Sequence, residues 1–70
     1  MKVYEELGSV IKSINGGSLT GRDAIHELYN VVDKLKSTGV SSDLIKYSLH
    51  LLNYAIPNLK LSNLIDIESI

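Results

Sequence analysis

The sequence predicts an all-α fold, a compact antiparallel bundle of three helices plus a short C-terminal fourth helix, forming a single domain over residues 1–70. Three observations predict it. Apolar residues recur at spacings of three and four along three separate stretches. Glycine-bearing breaks, Asn15-Gly16-Gly17-Ser18 and Ser37-Thr38-Gly39, divide those stretches. Pro57 then ends the third, because its ring occupies the space a continuing helix needs.

The first helix is expected from about Lys2 to Asn15, with Val3, Leu7, Val10 and Ile14 on one face. Tyr4 and Ile11 widen that stripe, while Glu5, Glu6, Ser9 and Lys12 fall opposite. The second should begin after Thr20, an N-cap residue, with Asp23 at the positive helix end. Ile25, Leu28, Val32 and Leu35 form its stripe, extended by Ala24 and Val31. Lys34 and Lys36 suit its C-terminus, and Gly39 can turn left-handed beyond it.

The third helix carries the most information. Ser41 is placed to cap it, and Val40 to staple against Ile45 across the cap. Leu44, Ile45, Tyr47, Leu49, Leu51, Leu52, Tyr54, Ala55 and Ile56 cover more than half of its circumference. Asp43, Lys46, His50 and Asn53 form its only polar strip. A helix so apolar must be covered on more than one side. It is expected at the centre of the bundle or in a dimer interface. In the tail, Ser62 could cap a short helix through Leu64, Ile65 and Glu68; a period of two over Leu59, Leu61, Ile65 and Ile67 is the alternative. No other segment offers a strand to pair with it, so the helix is preferred.

Composition narrows the function classes. A chain of 70 residues buries only about 60% of the surface its unfolded form exposes. A single core this small seldom supplies more than roughly 3–5 kcal/mol. With no cysteine, disulfides and the common zinc clusters are excluded, and His26 and His50 are too few for an all-imidazole metal site. No metal, cofactor or catalytic residue is expected, and both histidines are read as solvated surface groups. Helix packing and self-association remain as sources of stability. Seven basic residues stand against eight acidic ones, so there is no basic excess to favour nucleic acid. The N-terminal Met1-Lys2-Val3-Tyr4-Glu5-Glu6 lacks a signal-peptide run, and no stretch reaches the length of a membrane span. The expected location is cytoplasmic.

The glycines of Gly16-Gly17-Ser18-Leu19-Thr20-Gly21-Arg22-Asp23 suggest a phosphate loop. Arg22 and Asp23, however, stand where lysine and a hydroxyl are needed, and the segment reads as an interhelical connection. Thr38-Gly39-Val40-Ser41-Ser42-Asp43-Leu44-Ile45 resembles the turn of helix-turn-helix DNA-binding domains. That likeness implies a DNA-facing strip of Lys46, His50 and Asn53. The chain departs from the pattern at Lys34, Leu35, Thr38 and Ser48. His26-Glu27-Leu28-Tyr29-Asn30 and Ser42-Asp43-Leu44-Ile45 are similar to stretches of small four-helix bacteriocin immunity proteins. That second resemblance implies protection of a producer cell by binding a receptor–bacteriocin complex. This chain is shorter, slightly acidic and without the longer C-terminal segment of that family.

The leading expectation is a non-enzymatic protein–protein interaction module, with itself as the partner in a homodimer or higher assembly. Its interface residues are expected to be Leu44, Tyr47, Leu51, Tyr54 and Ala55, the apolar excess of the third helix.

Overall fold

The computed structural model describes residues 2–70 and is all-helical, with no strand among the described residues. Three α-helices, α1 (Val3–Asn15), α2 (Gly21–Ser37) and α3 (Ser42–Ala55), are followed by three short 3₁₀ turns, Pro57–Leu59, Leu61–Asn63 and Ile67–Ser69. None of the described helices is long and apolar enough to cross a membrane.

Both interhelical breaks use the same device. Gly17 and Gly39 take left-handed φ values of 85° and 92°, which a side chain would strain. Each turn then closes with a pair of backbone bonds that satisfy the last helical carbonyls. Val40 N–H donates to Leu35 O at 3.1 Å and Gly39 N–H to Lys36 O at 3.1 Å. Ser18 N–H donates to Ser13 O at 2.9 Å and Gly17 N–H to Ile14 O at 3.1 Å. This is the Schellman arrangement, and it reverses the chain within a few residues.

The next helix starts are unequal. Leu44 N–H donates to the Ser41 hydroxyl at 3.2 Å, so Ser41 caps α3 as its position implies. Thr20 holds the extended conformation of an N-cap, but its hydroxyl makes no capping bond to α2. Replacing Ser41 with alanine is therefore expected to cost about 1 kcal/mol, and Thr20→Ala distinctly less. Urea denaturation of the two variants checks the difference.

The core is aliphatic. Val3, Leu7 and Ile11 from α1 meet Leu28, Val32 and Leu35 from α2 and Ile45, Leu49 and Leu52 from α3. Leu61, Ile65 and Ile67 from the tail complete the cluster. The inward line of α1 differs from the expected one: Ile11 is fully enclosed, whereas Val10 and Ile14 are half-buried. α1 is thus turned toward its Leu7–Ile11 edge, because two neighbours and not one must share its apolar face.

The N-terminal end of α1 lies by the C-terminal end of α2, where Val3 and Glu6 meet Leu35, Thr38 and Val40. α1 and α3 run in the same direction, with Tyr4 near Leu44 and Tyr47 and Lys12 near Ala55 and Ile56. α2 is antiparallel to both, as an up-down-up bundle requires.

The C-terminal segment is helical, but as 3₁₀ turns. Pro57 cannot donate an N–H to α3, and Lys60 sits in the left-handed region at φ 54°, which breaks the segment again. Ser62 lies inside the second turn and caps nothing, contrary to its expected role. What anchors the tail is Asn53, whose Oδ1 accepts the Leu61 N–H at 3.1 Å and thereby directs Leu61 into the core.

Candidate interaction surface

Four tyrosines are the only aromatic residues in the chain. All four lie at the surface: Tyr4 is 44% exposed, Tyr29 38%, Tyr47 62% and Tyr54 87%. Among the described residues the only other large exposed hydrophobic side chain is Leu51, at 40%. A small domain short of core has therefore left its largest apolar side chains outside.

Three of these tyrosines and Leu51 gather on one side of the molecule. Tyr4, Leu44, Tyr47 and Leu51 line one recess between α1 and α3, with Val3 and Ser48 beneath. Tyr4 also lines a second recess with Glu5, Gly8, Ser9, Lys12, Leu52, Ala55 and Ile56. The two recesses share Tyr4 and lie end to end along the α1–α3 seam, a line termed the furrow. Tyr54 stands on the same flank of α3, one helical turn beyond Leu51. The furrow has an apolar floor and a rim of opposite charges, Glu5 and Lys12.

All five residues expected at an interface lie along this flank. Tyr47, Leu51, Tyr54 and Ala55 are exposed and Leu44 is half-buried. Tyr4 is the member the periodicity missed. On a helical wheel it lies beside Ile11 at the edge of the stripe and reads as inward, yet it is 44% exposed at the mouth of both recesses. The opposite face of α3, with Ile45, Ser48, Leu49 and Leu52, is the buried one.

The His50–Asn53 part of the polar strip of α3 faces the tail. His50 Nε2 lies 2.7 Å from Glu68 Oε2. Asn53 is committed to Leu61, and Lys46 is half-buried. His50 is thus exposed but paired, where the sequence predicts a simply solvated group. The pair spans 18 residues and depends on the tail's turns, so no local pattern could reveal it. Tyr29, Asp66 and Glu68 line the recess around it, and Asp66 accepts a 2.6 Å hydrogen bond from the Ser69 hydroxyl. Both members of the His50–Glu68 pair are mostly solvent-exposed, so it contributes on the order of 0–1 kcal/mol. His26 is exposed on α2, one turn before Tyr29, and does not line this recess.

Comparison with protein-family models, curated proteins and solved structures finds no match. The likenesses to helix-turn-helix domains and to bacteriocin immunity proteins rest on the short helical stretches that suggested them.

Proposed function

We propose that this chain is a small non-enzymatic protein-interaction module that associates with itself through the α1–α3 furrow and the exposed flank of α3. The observation that carries this reading is the placement of the aromatic residues. Every ring lies at the surface; Tyr4 and Tyr47 line one recess with Leu51, and Tyr54 follows Leu51 by one turn of α3. A fully buried tyrosine covers about 150–250 Å², and Tyr47 and Tyr54, 62% and 87% exposed, have most of that still to cover. A bundle with a marginal core gains most by covering these rings with a second copy, whose binding also raises stability by mass action. Tyrosine is also enriched among the residues that dominate binding energy.

The tail side of α3 suits a nucleic acid poorly. Asp66 and Glu68 place two carboxylates beside His50, and a phosphate backbone approaching that strip would meet them.

Sedimentation from micromolar to millimolar concentration tests the proposal. The expected result is a reversible, concentration-dependent dimer. Tyr47→Ser/Tyr54→Ser should weaken it by about 2 kcal/mol or more, roughly thirtyfold, while helix content stays unchanged. A wild-type chain that remains monomeric over the whole range would overturn the reading.

A further inference from the structure

We propose that two copies pair through α1 in antiparallel register, with Glu5 of each copy opposite Lys12 of the other. The inference rests on the self-association reading above and assigns its geometry. Glu5 and Lys12 are both exposed and both border the furrow. They are seven residues apart, which places them on one helix face and about 10 Å apart along its axis. Among the described residues neither enters an ion pair within the chain. The neighbouring charges, Lys2 just before α1 and Glu6 in its first turn, border the recess toward the end of α2.

The order of the two charges selects the register. A two-fold axis passing between Gly8 and Ser9 brings each glutamate onto a lysine, and does so twice. A parallel pairing would set Glu5 beside Glu5 and Lys12 beside Lys12. Because α3 runs alongside α1 in the same direction, the same rotation carries the Tyr4–Tyr47 end of one furrow onto the Ala55–Ile56 end of the other. The result is a self-complementary two-fold contact with an apolar centre and a charged rim.

Charge reversal tests this directly. Glu5→Lys leaves lysine facing Lys12 at both contacts, and Lys12→Glu leaves glutamate facing Glu5. Each is expected to weaken the homodimer about tenfold or more at low salt. An equimolar mixture of the two variants should form a heterodimer tighter than either homodimer, and the double variant Glu5→Lys/Lys12→Glu should recover wild-type association. Circular dichroism controls for folding. If a reversal unfolds the chain, Glu5→Gln and Lys12→Gln replace it, and the salt dependence seen in the wild type should disappear in both. A wild-type dimer that neither reversal nor neutralisation weakens would overturn this register while leaving self-association standing. A wild-type monomer would remove both.

Discussion

Leu49→Ala is expected to leave the chain largely unfolded at room temperature. Leu49 is completely enclosed at the centre of the inward face of α3, among side chains from all three helices and the tail. Truncating a buried leucine to alanine costs about 2–5 kcal/mol, since contacts are lost and the surroundings relax only partly into the cavity. A single core of this size seldom holds more than roughly 3–5 kcal/mol, so one such cavity consumes most or all of it. Leu51→Ala is the matched control. It lies two residues away on the same helix but on the exposed flank, and should cost far less in dilute solution. Thermal unfolding followed by circular dichroism distinguishes the two. A Leu49→Ala protein that melts cooperatively within a few degrees of wild type would show that the inward face of α3 has been misassigned.

The contrast between Leu49 and Leu51 also marks how far the sequence could be read. Periodicity placed all three helices, and the Gly17 and Gly39 turns follow from paired or terminal glycines that no helix interior favours. The apolar excess of α3 was equally visible, because nine apolar residues over thirteen positions cannot share one narrow stripe. Which part of that excess turns inward was not visible. That depends on the rotation of α3 against α1 and on how much of its surface the tail covers. Ile11 and Tyr4 show the same limit, being neighbours on the wheel of α1 that end up enclosed and exposed. The tail was least legible: its 3₁₀ turns follow from Pro57, the left-handed Lys60 and a hydrogen bond from Leu61 to Asn53, eight residues back along the chain. None of these has a period.

That tail is nevertheless expected to be part of the cooperative unit, and Leu61→Ala is the test. Leu61, Ile65 and Ile67 are all buried against the three helices. Fully burying such side chains is worth about 1.5–3 kcal/mol each, so together they match or exceed the net stability of the whole domain. The helices could not keep their fold without them. Leu61→Ala should therefore lower stability by about 2–5 kcal/mol in one transition, with helix signal and tail protection lost together. Limited trypsin digestion reports on the tail, because Lys60 is exposed at its hinge. If Leu61→Ala made Lys60 rapidly cleavable while the helix signal and its melting point stayed near wild type, the tail would be a detachable flap. The flank that His50 and Asn53 present would then be a second open face of α3. With the tail integral, that flank is already occupied by the chain's own residues. The face with Tyr47, Leu51 and Tyr54 is then the side of α3 left for a second copy to cover.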